Sequence, residues 1–113
     1  LLHAKAARTG ANSATGGVNH GAATAFGGFL CYQIFAVAGT GTATISIDDS
    51  ADDLNYGALS GATSGAIAHT SVPCAGIVAL GNAATVKQYL RWQLSLSTIT
   101  SCTFALSFVR ATF

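Results

Sequence analysis

The chain has 113 residues, 50% of them hydrophobic, yet only five Lys or Arg and four Asp or Glu, for a formal net charge of +1. That length fits one domain and excludes a second. So small a positive charge excludes the basic patch that nucleic-acid binding requires, and an exterior of Ala, Gly, Ser and Thr suits packing against further copies of the chain.

Residues Leu1 to Gly28 are mostly small, and Phe26 is the first large apolar side chain after Leu2. This composition predicts an extended N-terminal arm over 1–28, ahead of a β-domain over 29–113. Two holders for such an arm stand open: a neighbouring subunit, or the arm's own domain, along which it lies as an edge strand. The start at Leu1-Leu2-His3, without Met or a charged-then-apolar leader, reads as that of a processed product or a segment of a longer protein.

Gly28 to Ala38 is a strand with two apolar faces, Phe29, Cys31, Phe35 and Val37 on one side and Leu30, Tyr32, Ile34 and Ala36 on the other. A strand of this kind is covered on both sides, so one face belongs to the core and the other meets the arm, an attached domain or another subunit. Its apolar run, Phe29 to Ala38, has ten residues and includes Gln33, about half of what a membrane-spanning helix needs, so no membrane partner is expected. Gly39-Thr40-Gly41 then reads as a turn, and Thr42 to Asp48 alternates with Ala43, Ile45 and Ile47 inward.

All four carboxylates fall in Asp48-Asp49-Ser50-Ala51-Asp52-Asp53. There is no Asp-x-Asp-x-Asp-Gly spacing and no downstream Glu, so a Ca²⁺ loop is not signalled. The segment reads as a solvated turn in which Asp and Ser bond to local backbone, and an exposed turn gives no reason to expect the facing carboxylates of a glycosidase. Short strands follow at Leu54 to Leu59, Ser64 to Ser71 and Gly76 to Leu80, with Pro73 marking a bend and Gly81-Asn82 a turn.

The clearest alternation is in the last third. Leu90, Trp92, Leu94 and Leu96 share one face, as do Cys102, Phe104, Leu106 and Phe108, with Ser97 to Thr100 between the two runs as the expected reversal of a hairpin. Seven or eight short strands without helical periodicity predict an all-β, antiparallel β-sandwich with jelly-roll-like or Ig-like connections and an extended N-terminal arm.

No catalytic, cofactor or metal site is expected. His3, His20 and His69 have no partner at ligand spacing, and a Cys74–His69 nucleophile pair lacks any supporting signature. Cys31, Cys74 and Cys102, odd in number and without a Cys-x-x-Cys pair, read as small buried hydrophobes. A Cys31–Cys102 disulfide stays open should their strands be neighbours. Trp92 with Tyr89 and Tyr56 would suit a sugar-binding platform, but alternation points Trp92 into the core. Asp48, Asp49, Asp52 and Asp53 are segregated in sequence from Lys87, Arg91 and Arg110, so these seven are the candidate subunit-interface residues, acid of one copy against base of the next. Simple surface solubility is the competing reading.

The order of motifs resembles a β-domain of tailed-bacteriophage virion structural proteins, of the tail-tube or capsid-decoration kind. The residues that carry it are Val18-Asn19-His20-Gly21-Ala22-Ala23-Thr24 followed by Gly27-Gly28, an aromatic strand ending in Ala38-Gly39-Thr40, and the turn Ile47-Asp48-Asp49-Ser50-Ala51-Asp52. Gln88-Tyr89-Leu90-Arg91 and Thr103 to Arg110 complete the match, which spans about Val18 to Arg110. The resemblance implies a non-enzymatic subunit, present in many copies on a virion, with its own copies and other virion proteins as partners. A carbohydrate-binding or adhesive β-module is the alternative expectation.

Overall fold

Alternation builds an all-β architecture in the computed structural model, which describes residues 2–9 and 17–111. Seven strands join in one antiparallel sheet: β1 (His3–Arg8), β2 (Val18–Asn19), β3 (Gly28–Ser50), β4 (Gly57–Thr63), β5 (Ile67–Ala68), β6 (Cys74–Ala79) and β7 (Tyr89–Arg110). One turn of 3₁₀ helix, His69–Ser71, precedes β6.

The expected hairpin is absent. Ser97 to Thr100 is not a reversal, because β7 runs through it as one strand of 22 residues, and Gly39-Thr40-Gly41 lies likewise inside the 23-residue β3. The two strands pair antiparallel from Gly28 with Arg110 to Ser50 with Tyr89. Kept straight, 22 residues would span roughly 70 Å at strand rise, but the longest extent of the molecule is 39 Å. The pair of strands therefore folds over on itself. Trp92 and Phe104, on one strand, meet edge to face with ring centroids 5.7 Å apart.

Bulges make the corner. Thr40 and Gly41 together oppose Thr98, and Thr100 is the extra residue on the other strand. Gly41 has φ +134°, and a Cβ there would run into the Ser97 carbonyl and the Thr98 hydroxyl. Thr98 itself has φ 61°. Its hydroxyl donates to the Thr40 carbonyl, and that of Thr100 donates to the Ala38 carbonyl at 3.2 Å. The Gly41 N–H, left out of the ladder, donates to His69 Nδ1 at 3.0 Å, so a side chain takes over a lost backbone bond.

Folding at the corner produces the expected β-sandwich. In the first layer, residues 28–38 of β3 lie between β6 and residues 101–110 of β7, with β1 outside β7. In the second, residues 42–50 of β3 lie between β4 and β5 on one side and residues 89–97 of β7 on the other, with β2 beyond. The core between them holds Leu30, Ile34, Ile45, Ile47, Leu90, Leu94, Phe104, Leu106 and Phe108, and Trp92 and Leu96 pack against it half-buried. Ile99 is buried at the corner itself.

Within the described residues the arm belongs to its own domain. β1 pairs with β7 from His3 opposite Leu106 to Arg8 opposite Cys102, β2 pairs Val18 with Leu90, and Thr24 bridges Val86. The arm's described residues are thus tied to their own domain, and β7 supplies most of the support that their composition lacks. Cys31 and Cys102 do not pair. Cys31 opposes Ser107 on the outside of the first layer, whereas Cys102 is buried in the core with its thiol pushed up to about 11 by burial and the neighbouring Cys74.

Candidate interaction surface

Of the charged residues singled out from the sequence, Asp48 and Arg91 meet inside one chain. Asp48 and Arg91 sit opposite each other in the β3–β7 register and form an ion pair at 3.2 Å, and Gln93 Nε2 donates to the same carboxylate oxygen at 2.9 Å. The Arg91 guanidinium also lies 4.2 Å from the Tyr56 ring centroid. Asp49 falls on the inward side of β3 and is only 6% exposed. Its carboxylate accepts the Lys87 N–H at 3.1 Å, which keeps a buried acid satisfied.

Arg110 closes the open end of the sandwich. Its guanidinium donates to the Lys87 carbonyl at 2.6 Å, the Val86 carbonyl at 2.7 Å and the Thr24 hydroxyl at 3.0 Å, so it ties two segments to the end of β7. Burial lowers the Arg110 pKa, and the Asp49 carboxylate works against that shift. Burial and then the charge of Arg110 lower the pKa of His20.

Asp52 and Asp53 organise the turn after β3. Asp52 accepts the Asn55 N–H at 2.9 Å, the Leu54 N–H at 3.0 Å and the Ser50 hydroxyl at 2.9 Å, and these bonds, the one from Asn55 foremost, hold its carboxyl well below the usual range. Asp53 accepts the Tyr56 hydroxyl and the Gly17 N–H, both of which lower its pKa. Burial, and then that bond to Asp53, push the Tyr56 hydroxyl up to about 12. Apart from the Gly17 N–H, which comes from the arm, the donors to Asp52 and Asp53 are local backbone and hydroxyl groups, as these residue types imply.

The aromatic rings are similarly engaged. Tyr56 is stacked by Arg91, and Trp92 has Phe104 at its edge and the Arg8 guanidinium 5.4 Å from its centroid. His69 is turned to the corner backbone, a role that no spacing in the sequence signals.

What remains open is the outside of the first layer. The register places Phe29, Ala79 and Val109 in one row across it, Cys31, Ile77 and Ser107 in the next, and Gln33, Ala75 and Ala105 in a third. Phe29 is 46% exposed, Val109 56% and Ile77 72%. The arm reaches this face at Phe35, where Lys5 Nζ lies 4.4 Å from the ring centroid, and leaves the rows beyond it uncovered among the described residues. An open depression of about 520 Å³ lies over the second and third rows, and none of its lining residues carries a charge. The doubly apolar pattern of Phe29 to Ala38 foreshadowed a second face; the contributions of Ile77 and Val109 depend on register and were invisible. No protein-family model matches the chain, and no curated protein matches its sequence.

Proposed function

We propose that this chain is a non-enzymatic structural subunit that acts by assembling with copies of itself, and that its address is the virion of a tailed bacteriophage, as a tail-associated or capsid-decorating protein. The observation that carries the assembly reading is the apolar face of the first layer, uncovered among the described residues, where Phe29, Ile77 and Val109 stand exposed in rows of uncharged residues. Exposed apolar patches of this kind mark protein contact surfaces. The internal use of the charged residues supports the same reading, since Asp48, Asp49 and Arg110 are committed to the fold. The virion address rests on the motif order from Val18 to Arg110 alone. An adhesive, sugar-binding role has less support, because Trp92 and Tyr56 have their rings engaged within the chain.

Sedimentation and electron microscopy of the purified chain test the assembly reading. Concentrated protein is expected to form rings, tubes or lattices, and the double variant Phe29→Ser with Val109→Ser to melt like the parent yet form none of these larger assemblies. A parent chain that remains monomeric at every concentration, or that binds glycans without assembling, overturns the proposal. Antibodies to the chain are expected to decorate tailed-phage particles; particles that stay bare remove the virion address.

A further inference from the structure

The first layer ends at β6, and this edge carries information beyond the apolar face. Among the described residues β6 has β3 as its one pairing partner. The Leu80 N–H donates to the Gly28 carbonyl at 2.8 Å, which fixes the phase of the ladder. In an antiparallel pair, residues alternate between those bonded to the partner and those whose N–H and C=O point away. With Leu80 bonded, Val78 and Gly76 are bonded too, and the backbone groups of Ala75, Ile77 and Ala79 point to the free edge. All three of these residues are exposed.

Protein sheets protect such edges with Lys, with Pro, with bulges or with a covering segment. β6 has none of the first three: Cys74-Ala75-Gly76-Ile77-Val78-Ala79 holds no charge and no Pro, and its register against β3 is unbroken. The strand is also complementary to itself. Laid antiparallel about Ile77, it sets Ala75 against Ala79, Gly76 against Val78 and Ile77 against Ile77, with small residues facing small and the smallest facing a branched one. In that alignment all three outward-pointing residues pair together, and no like charges meet.

We infer that β6 is the contact by which two copies of this chain join, edge to edge and antiparallel about a two-fold axis through Ile77, fusing their first layers into one continuous sheet. This rests on the assembly reading above and names its partner and geometry: a second copy, bound through main-chain hydrogen bonds. The contact is isologous, so each copy presents the same strand. Fusion also lines up the Phe29 and Ile77 rows of both copies on one face, which then serves for stacking onto further pairs.

Two variants of the full chain test it. Ile77→Lys places like charges opposite each other at the axis, and Ala75→Pro removes an N–H that points outward while sparing those bonded to β3. Each is expected to weaken pairing by about tenfold or more in sedimentation equilibrium, with the melting temperature of the monomer unchanged. In the parent chain, the amides of Ala75, Ile77 and Ala79 are expected to exchange more slowly as concentration rises. A parent that assembles while both variants assemble equally well, with exchange at these amides independent of concentration, overturns the edge contact and leaves the assembly reading standing. Protection that appears only when a different protein is added also overturns it, by making that protein the occupant. A parent that never associates overturns both.

Discussion

The same two strands make both layers of the sandwich, but their outward faces are opposites. Outside the second layer, Thr42, Thr44, Ser46 and Asp48 of β3 face Ser97, Ser95, Gln93 and Arg91 of β7, a hydroxyl-rich surface with one ion pair. Outside the first, the corresponding rows carry Phe29, Cys31, Ile77, Ala105 and Val109. Both faces belong to the same antiparallel β3–β7 pair, so the difference along these two strands lies in their side chains. Antiparallel sheets in water ordinarily keep one polar face, as the second layer does. The first layer departs from that pattern, and the proposed contact surface rests on that departure.

The comparison breaks most completely at what the layers share. Phe104 is fully buried and meets Trp92 across the fold. Phe104→Ala is expected to cost about 3 to 5 kcal/mol through lost burial and a cavity, and to unfold both layers in one transition. Denaturant titration followed by Trp92 fluorescence and by far-ultraviolet circular dichroism checks this; separate midpoints would mean that the layers are independent. Next comes the corner. Gly41→Ala forces a side chain into a left-handed backbone position against the Ser97 carbonyl, and a loss of about 1 to 3 kcal/mol is expected. A variant as stable as the parent would show that the corner relaxes freely.

On the polar face the effects are smaller. Arg91→Ala removes the Asp48 ion pair and the contact with Tyr56 and is expected to cost about 1 kcal/mol, less at high salt. No salt dependence of that loss would mean that packing, not charge, carries it.

Smallest is the dependence on pH. Asp52 and Asp53 have folded-state pKa values below their ordinary 3.8. The folded chain therefore holds these protons less readily than the unfolded one, and the stability they lend above pH about 4 is lost as the solution is made more acid. Tyr56 is shifted the other way, from 10.0 to about 12, so its contribution is present below pH 10 and disappears as pH rises through about 12. Melting curves across both limbs are expected to flatten below pH about 4 in Asp52→Asn and above pH about 10 in Tyr56→Phe. Unchanged limbs would assign the pH response to other groups.

The inward faces were legible from sequence because strand alternation is a local signal: Leu90, Leu94, Phe104, Leu106 and Phe108 all point to the core as their spacing implies. The chemistry of the Asp52 turn was legible for the same reason, since its bonds span only a few residues. The path of the chain between 97 and 100 was not. A polar stretch between two apolar runs looks alike whether the chain reverses or merely bends, and the choice was made by β3, whose glycines bend in register with it. Of the two holders left open for the arm, its small side chains could not choose, because β1 is joined to β7 by backbone pairing, which side-chain composition does not encode. Asp48 with Arg91, and Ile77 beside Cys31, are products of register between distant segments, which no local pattern encodes.

The length of the β3–β7 ladder also sets an order of events. Of its pairs, Ser50 with Tyr89 lies closest in sequence and Gly28 with Arg110 farthest, so closing the chain is least costly in entropy at the end that belongs to the second layer. Pairing that starts there and zips through the corner forms the polar-faced layer first and the apolar-faced one last. The exposed Phe29, Ile77 and Val109 are then displayed together only when a core already stands behind them. Pulse-labelled hydrogen exchange during refolding is expected to protect the amides of 42–50 and 89–97 ahead of those of 29–34 and 104–109; simultaneous protection of both sets would mean that the ladder forms in a single step.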